Sequence, residues 1–585
     1  MDPTHEIVDS LILPYAAFHK KTLKPSNGIK SSVKGTKNSW TMMKNTQRLA
    51  ASVPEVWDID GGETDRGFFC TVPKFARHKP PLRVTTHMAW DETNYSAQLS
   101  EMLELDAFFR AGKQKIHNLP LTQHLRKALG YWSSQRPHFQ SEYESLPFGS
   151  KIFVDSLHED VTQTKFRLVP DTTIEESWLS VEDFADEVSI PLASVSNMTV
   201  PWESLELVSH AHENISIVRI SGQTDGPSFV FKALMEDTHY MYHELRLLLS
   251  MDSHPNIIIK PHALVLKRRP GNAPGIAGFL LELYPGPTLQ QRLNIKDHPV
   301  VRMEQKLSWS RQLVSALSHI RIQPPGYFPD FKPNNVVFSG CDSDGESSIR
   351  PVLLDFEQRG TWHMWAPPEV RYVEYLELLA LTSSEESVRE RYRSLLREIF
   401  PHWTTSYNNR PLRDARDGYN LAWASLDTQA RAKAQVYALG KVLWCIFENV
   451  PSPDGPHNVE SFLEDFDQDQ QFPEFRLSPP VIQDLVRRCT AGAPEWGDRR
   501  PGVARDGERI VPWGRQGCEV TADETQEAAT RWWREELALA EEFARHRYGH
   551  DQYEISEHVA QLEQEIQERP SLDEVMDVLK SLSAE

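Results

Sequence analysis

The sequence predicts an α+β chain with two lobes, a small β-rich one followed by a larger helical one, behind an N-terminal accessory region. Three observations predict it. Between residues 200 and 286 the chain runs in short β-branched and aromatic stretches (LELVSH, ISIVRI, SFVFKAL, GFLLELY) broken by turn residues such as Gly222, Asp225, Gly226 and Pro227. From 287 to 585 apolar residues recur mostly at helical spacing. A single helical pattern, THYMYHELRLLLS, interrupts the β-rich part, so one helix packs on a small sheet, with a cleft where the two lobes meet.

The elements follow in order. A chain of 585 residues exceeds one compact core. Residues 1–90, rich in Pro, Lys, Ser and Thr, read as a loosely ordered N-terminal region. Residues 91–199 read as a mixed α/β accessory region. Leu99, Met102, Leu103, Phe108 and Phe109 share a helical face, KIFVDSL and KFRLVP form two short strands, and SWLSVEDFADEV forms a helix with a Ser or Thr cap. LELVSH, ISIVRI and SFVFKAL open the β-rich lobe; NIIIKPHALVLK and GFLLELY close it. Two stretches of the helical part read as insertions, 371–430 and 502–568. The first contains two amphipathic helices within EYLELLALTSSEESVRERYRSLLREIF, and the second a strong helix, AATRWWREELALAEEFARHRY, whose Trp532 and Trp533 are expected in a core.

Bulk properties exclude several classes. A formal net charge of −20 repels phosphate backbones, so nucleic-acid binding is not expected. The local exception, the Lys-rich and acid-free stretch 19–48, reads as a solvated arm. Five scattered cysteines (Cys70, Cys341, Cys445, Cys489, Cys518) without a C-x-x-C form neither a disulfide framework nor a zinc site. The sequons at Asn94, Asn197 and Asn214 are then chance matches. The acidic opening MDPTHEIVDSLILPYAAF is not a secretory signal, and no window is apolar enough for a membrane span. The expected location is intracellular, cytoplasmic or nuclear.

The chemistry-bearing residues appear in a fixed order. FVFK ends a strand in Lys232, where an ammonium can reach phosphates as a point charge. Glu244 lies on the helix that follows and can pair with it, with Glu236 as rival. YFPDFKPNNVVF then sets Asp330, Lys332 and Asn335 just before a strand. A carboxylate there can orient an attacking hydroxyl, a lysine can neutralise developing charge, and an amide oxygen can hold a metal. PVLLDFE puts Asp355 at the end of a strand that pairs with NVVF as a hairpin, which brings Asn335 and Asp355 together as oxygen ligands suited to magnesium. WAPPEV carries Glu369, RRPGV carries Arg500 and ERPSLDEVMDVL carries Arg569.

In this order the motifs resemble the eukaryotic protein kinase fold over roughly 200–585, with a small lobe at 200–286 and a large one at 287–585. The chain also resembles a group of divergent fungal protein-kinase-domain proteins that carry a long N-terminal extension and DFE in place of DFG. The resemblance implies ATP and Mg as cofactors. It implies catalytic roles for Asp330 and Lys332, and phosphate anchoring by Lys232 with Glu244. Asn335 and Asp355 would be the metal ligands, and Glu369, in an A-P-E-like motif, would form a structural ion pair with Arg569, with Arg500 as rival. Val230 and Leu281 would lie against adenine, and Leu283 and Tyr284 at the hinge; QVYALGKVLWCIF would be the buried central helix. The D-x-K form is nearer to Ser/Thr kinases than to Tyr kinases.

The departures are equally specific. LVSHAHENISIVRI has no glycine where a phosphate-covering loop would carry several. Phe328-Pro329 replaces His-Arg, so the arginine that reads an activation-segment phosphate is missing, and Thr361 is the sole hydroxyl between Asp355 and Glu369. Gln435 replaces the Asp that ties down the catalytic loop, and Glu357 replaces the DFG glycine. The expected function is an ATP- and Mg-dependent protein kinase, Ser/Thr-directed and free of activation-loop phosphorylation control, with an unidentified protein substrate and docking partners engaged by the insertions. The alternatives are a pseudokinase acting as a binding module and a small-molecule phosphotransferase on the same fold.

Overall fold

The computed structural model describes residues 55–582, apart from 64–66, 89–94, 104, 106–118, 223–225, 272, 295–299, 325, 341–348, 361–364, 454–469, 498–499, 507–508 and 550–553. The basic arm 19–48, Phe108, Phe109, Asn94, Cys341 and Thr361 lie outside the described residues. The architecture is mixed α+β.

The first sheet has five strands in the order β1-β2-β3-β4-β5: Trp57–Glu63, Phe68–Pro73, Thr85–Met88, Lys151–Ser156 and Lys165–Val169. Three strands, 57–63, 68–73 and 85–88, therefore lie within 1–90, where composition and weak periodicity led to an expectation of loose order. The reason is burial: all six residues of β2, FFCTVP, are buried, so it lacks the alternation that marks a half-exposed strand. The sheet also joins both sides of residue 90, because β3 pairs in parallel with β4 across a crossover containing the Pro120–Ser134 helix. Leu99 and Leu103 are buried in this core with Trp57, Leu125 and Phe139, and Ser180 caps the Val181–Val188 helix as expected.

The second sheet has six strands: β6 (Thr199–Pro201), β7 (Leu205–His212), β8 (Ile215–Ile220), β9 (Phe229–Lys232), β10 (Ala263–Arg268) and β11 (Pro274–Glu282), in the order β6-β10-β11-β9-β8-β7. The Thr238–Ser250 helix shares one core with it through Met241, Leu245 and Leu248. The stretch 256–268 is not one strand. Pro261 has no N–H to give a ladder, and Asn256 turns away, its amide donating to the Pro351 carbonyl at 2.8 Å.

The helical part is organised on Thr428–Glu448, in which every residue from Ala434 to Glu448 is buried, the pattern of a helix enclosed on all sides. Asp427 caps its start by accepting from the Ala430 N–H at 2.8 Å, and Asn449, at φ 57°, ends it in the left-handed region. A two-stranded hairpin, β12 (Val336–Phe338) with β13 (Pro351–Leu353), lies beside it in the same core.

The inserted segments form a second core. The helices Pro368–Thr382 and Glu386–Ile399 pack with the long Ala522–Tyr548 helix, which starts in a Thr521/Glu524 capping box. Trp533 is fully buried and meets Tyr375 edge-on at 4.9 Å between ring centroids, and Trp532 is 5% exposed. The short hairpin β14 (Val503–Asp506) with β15 (Arg509–Pro512) was not anticipated; four-residue strands carry too little pattern to read. Among the described residues, no helix is long and apolar enough to cross a membrane.

Candidate functional site

Lys232 closes β9 and pairs in register with Ile215 on β8 and Phe279 on β11. Gly278 makes this close approach possible, because a Cβ there would stand 2.3 Å from the Lys232 carbonyl oxygen. The Lys232 ammonium is 6% exposed and meets three carboxylates: Glu244 at 2.6 Å, Asp355 at 2.7 Å and Glu357 at 2.8 Å. Burial disfavours its charge, but the three acids win and hold its pKa well above the ordinary value. Glu244 is the partner supplied by the helix; its Oε1 also accepts the Phe356 N–H at 3.1 Å. One side chain thus ties the helix to the strand lysine and to the Asp355–Glu357 segment. Burial pushes the Glu244 carboxyl up, and Lys232 draws Asp355 down.

Glu357 does more than stiffen the segment. It is shared between Lys232 and Arg359, whose Nε lies 2.5 Å away and whose guanidinium rests on Tyr240 at 4.3 Å. Lys232 is thus shared among three carboxylates, with Arg359 on Glu357 as a second cation. Their oxygens lie within 4.8 Å of one another, the spacing of a metal trio, but all three already hold the ammonium. Asp355 sits at φ 68° and Gln358 at φ 55°, left-handed conformations that side chains adopt at a cost and that concentrate at functional sites.

Asp330, Lys332 and Asn335 converge as the spacing implied. Asn335 Nδ2 donates to the Asp330 carbonyl at 2.9 Å and to Asp330 Oδ2 at 2.8 Å. That leaves Asn335 Oδ1 as the oxygen Asp330 does not engage. Asp330 Oδ1 is buried and accepts no hydrogen bond; Lys332 Nζ is 3.2 Å away, outside hydrogen-bond geometry. Burial raises the Asp330 carboxyl above its ordinary range, offset in part by Lys332 and Asn335. The Leu354 N–H donates to the Asn335 carbonyl at 2.9 Å, which brings the Asn335 and Asp355 segments together.

Val230 and Leu281 are direct cross-strand partners between β9 and β11, with Leu281 5% exposed. Leu283 is 36% exposed, and Tyr284 is half-buried, its hydroxyl raised to about 12 by burial. Glu369 and Arg569 form the expected bidentate pair, at 2.5 and 3.1 Å with neither side chain exposed, while Arg500 lies instead over Trp513. Gln435 is not a lost anchor. Its amide accepts the Phe328 N–H and donates to the Phe328 carbonyl, both at 3.0 Å, holding the loop just before Asp330.

The glycine-free β7–β8 hairpin is bolted from outside by the first sheet. Asp60 accepts the His210 N–H at 2.7 Å and pairs with Arg77, which also reaches the Val208 carbonyl at 3.0 Å. Arg83, 3% exposed, donates to the Glu213 carbonyl at the hairpin turn. None of these residues stood out in the sequence, since a role set by another sheet leaves no local spacing.

His243, beside Glu244, is fully buried, and burial with the neighbouring Arg246 pushes its imidazole down to about 3. An unfolded histidine titrates near 6.5. The unfolded chain therefore takes up a proton first, and the stability present above about pH 6.5 is lost as pH falls toward 3. Relative to wild type, His243→Phe is expected to lose less stability between pH 7 and 5, by this one group's share, since His87, His124 and His210 are also held down by burial while Glu244 and Glu374 are held up; differential scanning calorimetry of the two proteins across the range checks it.

Neither comparison with protein-family models nor comparison with curated proteins finds a match for this chain.

Proposed function

We propose that the chain is an ATP- and magnesium-dependent protein kinase on a two-lobed, protein-kinase-like fold, with a small lobe at 200–286 and a large lobe at 287–585. It is Ser/Thr-directed and works without activation-loop phosphorylation. The observation that carries this reading is the convergence of five groups from four segments: Lys232 ion-paired with Glu244 and hydrogen-bonded to Asp355, with Asp330 and Asn335 joined side by side. Phosphoryl transfer asks the protein mostly for positioning and electrostatics, and these groups provide both.

The donor set fits the cofactors. Asn335 Oδ1 and an Asp355 oxygen are hard ligands of the kind magnesium takes while keeping several waters. Magnesium-bound ATP would supply the γ-phosphoryl group. In this reading the Asp330 carboxylate, 16% exposed and paired with Lys332 at 3.2 Å, would accept the hydrogen bond of an acceptor hydroxyl. Lys332 stands beside it to offset charge on the transferred group, and Lys232, held by Glu244, offers a fixed positive point to phosphate oxygens. Val230 and Leu281 offer the apolar wall for a base, and Leu283 and Tyr284 the backbone of a hinge.

A pseudokinase is the second reading. It is favoured by the hairpin, which has no glycine to let backbone N–H groups approach phosphates, and by a Lys232 already shared among three acids. Thermal shift with ATP separates the two. The kinase reading expects millimolar ATP to raise the midpoint only with magnesium, and Asp355→Asn to abolish the rise. No shift with either nucleotide or metal favours the binding module.

A further inference from the structure

Besides β9, which ends in Lys232, three segments carry the charged groups of the site: the Thr238–Ser250 helix, residues 355–358 and the loop 327–335. A single chain of buried hydrogen bonds links all three. Arg246 Nη2 lies 2.6 Å from His243 Nδ1, His243 Nε2 lies 2.7 Å from Gln358 Oε1, and Gln358 Nε2 donates to the Tyr327 carbonyl at 3.0 Å. The direction of the chain is fixed by chemistry. A guanidinium only donates, so His243 Nδ1 accepts and Nε2 carries the proton. Nε2–H then donates to the Gln358 oxygen, which turns the Gln358 NH2 toward the carbonyl. His243, Tyr327 and Gln358 are 0%, 1% and 2% exposed, and Arg246 is 9% exposed.

Arg246 is anchored in turn by the insertion, donating to the carbonyls of Leu412 at 2.9 Å and Ala415 at 2.7 Å. Each relay member stands beside a site residue. His243 precedes Glu244, Gln358 follows Glu357, and Tyr327 precedes the Phe328 that Gln435 holds. The segment before Asp330 lacks an arginine that could read a phosphate.

We propose that Arg246, His243 and Gln358 are positioning residues that hold the Lys232–Glu244–Asp355 arrangement assembled without covalent modification, and that the inserted segment 411–415 is a built-in activating contact. This rests on the kinase reading above. The relay does without a phosphate what a phosphate–arginine contact would do in a switched enzyme: it fixes the helix, the Asp355–Gln358 segment and the Asp330 loop to one another. A site held this way is on by default.

The test pairs a catalytic and a non-catalytic readout on the full chain. Gln358→Leu is apolar and bonds neither His243 nor Tyr327, and Gln358→Asn, of similar size to Leu but keeping the amide, provides the comparison. With a generic protein substrate, kcat for Gln358→Leu is expected to fall by about 10–100-fold with little change in KM for ATP. Gln358→Asn should fall less, and phosphatase-treated wild type should keep its activity. Hydrogen exchange followed by mass spectrometry should show 243–247 and 355–358 exchanging ~10-fold or more faster in Gln358→Leu, with 434–448 unchanged. An unchanged exchange pattern overturns the relay, whether or not the wild type transfers phosphate. Unchanged kcat in an active protein, or wild-type activity lost on phosphatase treatment, overturns the positioning role. Altered exchange in a chain with no transfer activity overturns the kinase reading and with it the proposed positioning role, leaving the relay as structure.

Discussion

Arg569→Met is expected to cost about 3–5 kcal/mol, among the largest losses any single substitution here should produce. The guanidinium makes both halves of a bidentate contact to Glu369, donates to the Ala491 carbonyl at 2.9 Å, and stacks over Tyr437 at 4.9 Å. Neither partner has any exposed side-chain surface. Truncating one leaves Glu369 as a buried charge with no cation, a larger loss than the pair's own net contribution. Glu369→Leu/Arg569→Met removes both charges and should recover much of the deficit. The midpoint of the first unfolding transition in urea measures it. The single variant should lie well below wild type, and the double variant between them. A single variant within error of wild type would mean the pair is not buried as described. The pair joins the first residues of the Pro368–Thr382 helix to the loop before the last helix, so its loss should also loosen the packing of the inserted helices.

Lys232→Met is expected to reduce phosphoryl transfer by about 100–1,000-fold and to destabilise the chain at the same time. The second effect follows from the cluster: Glu244, Asp355 and Glu357 would lose the cation they share, leaving Arg359 on Glu357 and Lys332 near Asp355. Loss of activity by itself would then not separate catalysis from folding. Lys232→Met/Glu357→Gln does separate them. Removing one negative charge should restore a good part of the stability, read by thermal unfolding, and none of the transfer. Transfer that returns together with stability would show Lys232 to be a structural counter-ion rather than a phosphate anchor.

The legible part of the molecule was the part in which chemistry follows spacing. Lys232 at a strand end, Glu244 on the next helix, and Asp330, Lys332 and Asn335 in one loop meet because strong local elements deliver each of them. The choice of Arg569 over Arg500 followed from the resemblance, which expects the partner of Glu369 near the last helices. What stayed hidden was set by other parts of the chain. The strands between 57 and 88 show little alternation because β2 is buried throughout, and the β3–β4 pairing joins residues more than sixty positions apart. His243, Arg246 and Gln358 looked like ordinary polar residues of an amphipathic helix and a loop, since nothing local says that their partners are each other. Gln435 was readable in principle. An amide both donates and accepts, so it can grip a backbone N–H and a carbonyl at once, where a carboxylate could take only the N–H. Pro261 was visible and should have ended the strand assigned to 256–267.

The most direct test of the central claim is transfer of the labelled γ-phosphoryl group from ATP, with magnesium, by wild type and by Asp330→Ala, on the chain itself and on generic protein substrates. The account predicts magnesium-dependent labelling on serine or threonine by wild type and a loss of about 100-fold or more in the variant, without a matching loss of stability. A folded wild type that labels no protein, or an Asp330→Ala chain that labels as well as wild type, would contradict it.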